Sequence, residues 1–100
     1  MDLVRFEAAA STLLESLGDR LSPETQESVR TLLWGGEEGL VADGLASVLV
    51  DHRTPINFTE RDLLHELLYV FDLEDSDARY YPSLWNRDQV MASLNVVGAE

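Results

Sequence analysis

With 100 residues the chain has room for one domain, and 45% hydrophobic against 26% charged residues is a globular composition, not a disordered one. Seven basic against 19 acidic residues give a formal net charge of −12, which disfavours nucleic acid and anionic lipid as ligands and favours basic protein surfaces. The lack of cysteine excludes disulfides, thiolate metal sites and cysteine nucleophiles.

No apolar run approaches the ~20 residues that span a bilayer. The N-terminal Met1-Asp2-Leu3-Val4-Arg5 also lacks the basic-then-apolar order of a secretory signal, so a cytoplasmic protein without a membrane partner is expected. The first predicted helix runs from about Asp2 to Leu17. Leu3, Phe6, Ala10, Leu13, Leu14 and Leu17 fall on one face, and Gly18 suits the left-handed residue that ends a helix. Ser22-Pro23-Glu24 opens the second helix with a capping serine, a proline at the first position and an acid in the first turn. Its apolar stripe is Val29, Leu32 and Leu33, and Trp34-Gly35-Gly36 breaks it.

A third helix is predicted from about Glu37 to His52, with Leu40, Val41, Gly44, Leu45, Val48 and Leu49 on a broad apolar face. A glycine inside a helix costs about 1 kcal/mol relative to alanine, so Gly44 on that face predicts a closely approaching neighbour. Arg53 to Phe58 reads as an extended link around Pro55. Thr59 with Asp62 then resembles a capping box for a fourth helix reaching about Phe71, with Leu63, Leu64, Leu67, Leu68, Val70 and Phe71 inside. Short connections favour an antiparallel bundle of four or five helices. Its core covers about residues 2–75, followed by an acidic and aromatic loop and a short helix over 76–100. Tyr80 to Trp85 is predicted to be irregular, and the last helix to run from near Asn86, capped through Gln89, to Leu94, after which Asn95 to Gly98 either frays or adds a short extended tail.

The chemical inventory is thin. His52 and His65 lie on different predicted helices, and His65-Glu66 lacks the second histidine that a zinc-binding helix carries at i+4. Asp72, Glu74 and Ser76 alternate as in a calcium-binding loop, but Asp77 replaces the required glycine and Ser83 the bidentate glutamate. Gly35-Gly36-Glu37-Glu38-Gly39 repels phosphate, since it has two carboxylates and no lysine. A metal-assisted hydrolase needs a converging carboxylate–histidine set, which this spacing does not supply. The expectation is a binding protein with neither catalytic residues nor a cofactor or metal.

Gly36-Glu37-Glu38-Gly39-Leu40-Val41-Ala42, the apolar helix ending near Asp51-His52, Thr54-Pro55-Ile56, Thr59-Glu60 and the leucine-rich fourth helix together resemble small bacterial immunity proteins of the MafI type, which neutralise polymorphic toxins. The resemblance covers about residues 2–75. His52-Arg53 stands where that family often has an acidic and an aromatic residue before its proline. The resemblance implies one-to-one binding to a cognate toxin domain, often a nuclease. The charge argues in the same direction, because many toxin domains that attack nucleic acid are basic and an acidic partner is steered onto them.

Two segments are the predicted interface: the Gly36–Asp43 edge with Glu37, Glu38 and Asp43, and the Asp72–Trp85 segment with Asp72, Glu74, Asp75, Asp77, Tyr80, Tyr81 and Trp85. Carboxylates steer association, and tyrosine and tryptophan are the residue types that anchor interfaces. At least one of the three aromatics is expected to pack inward. The alternative reading is an acidic adaptor or regulatory subunit of a larger basic protein.

Overall fold

The computed structural model describes residues 3–72, 74 and 80–97, and their regular structure is all helical. Helix α1 spans Leu3–Leu17, α2 Pro23–Trp34, α3 Glu38–Asp51 and α4 Phe58–Tyr69. Two short helices follow, α5 over Pro82–Trp85 and α6 over Arg87–Ser93. The radius of gyration, 12.4 Å, is close to the roughly 13 Å expected of a packed 100-residue domain.

Helix α1 lies on α4 in antiparallel fashion. The start of α1 meets the end of α4, where Phe6 and Phe71 pack edge to face with ring centroids 5.7 Å apart, and Arg5 pairs with Glu66. The end of α1 meets the start of α4, where Ser16 donates to Glu60. Helix α2 runs back along α1, so that Glu7 and Trp34 border one groove. Helix α3 reverses again, and Val48 and His52 near its end border a hollow with Ser22 and Thr25 at the start of α2. The start of α1, the end of α2, the start of α3 and the end of α4 therefore share one end of the bundle.

Sequence signals for the first two connections hold. Gly18 takes φ +49° after α1, and the Ser22 Oγ accepts the Thr25 N–H at 3.1 Å with Pro23 at the first helical position. The core is built from Phe6, Ala10, Leu13, Leu14 and Leu17 of α1, Val41, Leu45 and Leu49 of α3, and Leu64, Leu67 and Leu68 of α4, all buried. Ala42 and Ala46 widen the α3 face, four residues apart as helical spacing requires. Leu3, Leu40 and Val70, predicted to face inward, are instead 49%, 39% and 36% exposed: Leu3 is the first residue of α1, Leu40 lies one step of about 100° off the Val41–Leu45–Leu49 face, and Val70 follows the last residue of α4.

Three local predictions are corrected. The capping box of α4 is Asn57 with Glu60, not Thr59 with Asp62: the Asn57 Oδ1 accepts the Glu60 N–H at 2.8 Å, and the Glu60 Oε1 accepts the Asn57 N–H at 2.9 Å. The close approach to α3 falls at Gly39, not Gly44, beside which there is open space. The Tyr80–Trp85 segment is not wholly irregular, since Pro82 starts a helical turn, and Asn86 donates its side chain to the Pro82 carbonyl at 3.1 Å instead of capping α6. The extended tail is present: the Ile56 N–H donates to Asn95 O at 3.0 Å and the Val97 N–H to Ile56 O at 2.8 Å.

Glu60 is buried at 0% exposure and charged, and its environment explains how. Burial opposes ionisation, but hydrogen bonds from Arg20, Ser16 and the Asn57 amide, with the Arg20 charge, outweigh it and hold the carboxyl below its usual range. Arg20 reaches Glu60 with both terminal nitrogens and donates to three carbonyls as well, Ser16 O at 2.7 Å, Pro55 O at 2.8 Å and Leu17 O at 3.2 Å. One guanidinium thus ties the end of α1, the Pro55 link and the start of α4 at the far end of the bundle.

Candidate protein-binding surface

The near end of the bundle joins the two predicted interface segments, although about 40 residues separate them. The joint is Gly39. A β-carbon there would lie 2.5 Å from Cε2 and 2.7 Å from Cζ of Tyr81, so the ring rests directly on the α3 backbone where only glycine leaves room. One turn further along α3, the Asp43 Oδ1 accepts the Ser83 N–H at 3.0 Å. Asp43 therefore holds the first turn of α5 in place, a structural use of a carboxylate that had been predicted to meet a partner. Ser47 and Ser83 hydroxyls, 3.4 Å apart, extend the seam.

The other predicted residues divide clearly. Glu37 precedes α3 and is exposed, and Glu38 in its first turn is half-buried. Asp72 and Glu74 are exposed in the chain leaving α4, with the Glu74 N–H donating to the Asp72 Oδ1 at 2.9 Å. Asp75 and Asp77 lie outside the described residues. Of the aromatics, Tyr81 packs inward, while Tyr80 is 76% and Trp85 47% exposed.

Sequence reasoning missed Trp34, the most exposed large apolar side chain described, at 92%. Its place on the helix carries a signal: Val29, Leu32 and Leu33 define the inward stripe of α2, and Trp34 is one further step of about 100° around the helix. It stands immediately before the turn that leads to Glu37.

The His65 ring stacks on Tyr69 with centroids 4.1 Å apart, and Tyr69 donates to Asp88, which keeps the phenol protonated above its ordinary range, helped by burial and the Asp88 charge against the opposing charge of Arg87. Arg87 lies 4.4 Å over the Tyr69 ring and donates to Leu68 O at 3.2 Å and Phe71 O at 3.0 Å, closing the end of α4. Among the described residues, no three carboxylate or histidine side chains gather where a metal ion could be held. No described helix is long and apolar enough to cross a membrane. Comparison with protein-family models, curated proteins and solved structures finds no match to this chain.

The near end can therefore offer a protein partner carboxylates for steering and exposed aromatics for anchoring, on and beside helices packed over a buried core. Glu37, Glu38, Asp72 and Glu74 supply the first, and Trp34 and Tyr80 the second.

Proposed function

We propose that the chain is an immunity protein that binds a cognate bacterial toxin domain one to one and neutralises it by covering a basic substrate-binding or active-site surface. The observation that carries this reading is the seat of Tyr81 on Gly39, which brings an acidic edge and an acidic–aromatic segment to the same end of the bundle. A partner that normally holds a polyanion presents the opposite charge to that end. Association is then fast and salt-dependent, and the desolvated aromatics set the lifetime of the complex. Catalysis by the chain itself is not needed, nor is a cofactor, and a cytoplasmic site of action is the natural one for protecting the producing cell.

The decisive experiment co-expresses the chain with the open reading frame immediately upstream of its gene. Rescue from a toxic neighbour, with a one-to-one complex on size exclusion, supports immunity. A harmless neighbour and no complex would transfer the argument to an acidic adaptor of a basic protein.

Electrostatic steering makes a kinetic claim on named residues. Neutralising Glu37, Glu38, Asp72 and Glu74 together, as Gln, Gln, Asn and Gln, is expected to slow association with the toxin roughly tenfold at low ionic strength. The effect should shrink above physiological salt, where the Debye length falls below about 8 Å. Stopped-flow fluorescence reads the rate, and circular dichroism verifies that the variant is folded. An association rate equal to wild type at low salt would remove these carboxylates from the interface.

A further inference from the structure

The exposed indole of Trp34 borders a groove of about 380 Å³ between α1 and α2. Glu7, Glu15 and Arg30 line it with Trp34, and Leu14 and Leu33 supply its apolar part. Glu7 and Glu15 are eight residues apart on α1, about two turns, so both carboxylates edge the same side. Among the described residues Glu7, Glu15 and Arg30 form no ion pair, and the Trp34 ring meets no other ring and no cation.

These features select an occupant. An apolar segment would match only Leu14 and Leu33 and leave the exposed charges of Glu7, Glu15 and Arg30 without a partner. An arginine side chain matches each part. Its guanidinium is attracted to an indole face, the strongest of the aromatic faces for a cation, and its methylene stem covers leucine. The two unpaired carboxylates supply the countercharge, in the field of a chain carrying −12. The antiparallel pairing of α1 and α2 brings Trp34 beside Glu7 and leaves Arg30 toward Glu15, so the guanidinium belongs at the Trp34–Glu7 end. We propose that this groove seats an arginine side chain from a basic segment of the protein partner. The inference rests on the proposed function only in taking that arginine from a toxin.

A tri-arginine peptide tests the groove without any toxin. In a proton–nitrogen spectrum of the full chain, the Trp34 indole N–H is identified by its loss in Trp34→Phe. The expected result is a saturable shift of that signal with tri-arginine and none with tri-glutamate. Glu7→Gln with Glu15→Gln should weaken the peptide roughly two- to fivefold, the scale of exposed ion pairs. Arg30→Gln should strengthen it by removing a like charge. An unmoved Trp34 signal, or a shift indifferent to the two glutamates, overturns the proposal. The two readings fail separately. Toxin rescue without a Trp34 shift keeps immunity and removes the groove, whereas a shift without any toxic neighbour keeps an arginine seat and removes immunity.

Discussion

Arg20→Ala is expected to destabilise the folded chain by roughly 2–4 kcal/mol at neutral pH, a large part of the stability of a domain this size. The loss is not simply that of one ion pair. Glu60 is fully buried, and removing its guanidinium leaves a carboxylate with only Ser16 and the Asn57 amide against its burial cost. Three carbonyls at the ends of α1 and of the Pro55 link lose a donor at the same time. The figure is set below the roughly 3–5 kcal/mol of a fully buried pair because the Arg20 side chain is 34% exposed and partly screened. Arg20→Lys should recover little, since a single ammonium cannot span both carboxylate oxygens and the carbonyls together.

The pair also fixes a pH dependence with a definite sign. The folded pKa of Glu60 lies below the ordinary value of 4.5, so the unfolded chain binds the proton more readily. The stabilisation is complete above 4.5 and is lost as pH falls through the lowered folded value. Urea unfolding of wild type and Arg20→Ala at pH 7 and at pH 3 should therefore show the gap between them narrowing in acid. A gap that is the same at both pH values would show that Glu60 is not held ionised by Arg20.

The parts of the fold that sequence makes legible are those governed by local chemistry. Gly18 and Ser22-Pro23 mark helix ends through backbone conformation and a neighbouring amide, and both do so in the structure. The α4 cap lies two residues before the expected one. Asn57 with Glu60 fits the local pattern better than Thr59 with the shorter Asp62, and Arg20, about 40 residues earlier, adds a partner for Glu60 that no local pattern shows. Gly44 and Gly39 pose the same difficulty, since both lie in α3 and only the path of the chain after α4 brings Tyr81 to one of them. Asp43 reads as a surface acid until Ser83 arrives beside it. Trp34 is the opposite case: its angle off the α2 stripe was readable, but its place in a glycine break concealed it.

Gly39→Ala is expected to separate the interface from the stability of the bundle. The new methyl would occupy the space of the Tyr81 ring, whose nearest atom lies 2.5 Å from its position, so the half-buried ring must swing away from α3. The packing loss, on the order of 1–3 kcal/mol, is partly offset by about 1 kcal/mol of helix propensity, leaving a modest net effect on unfolding. The consequence for the surface is larger. Tyr81 immediately precedes α5, and the Ser83 amide that bonds Asp43 is two residues further on, so displacing the ring loosens the seam that positions Tyr80 and Trp85. Partner affinity should fall by roughly tenfold or more, the scale of an interface anchor, and hydrogen exchange at the Ser83 amide should quicken even without a partner. Gly44→Ala is the matched control, since a methyl there meets open space. It should stabilise the chain by up to about 1 kcal/mol and leave both exchange and binding unchanged. If the two alanines behave alike in exchange, Tyr81 is not locked by Gly39. If exchange quickens at Ser83 while affinity holds, the seam is real but the partner docks elsewhere.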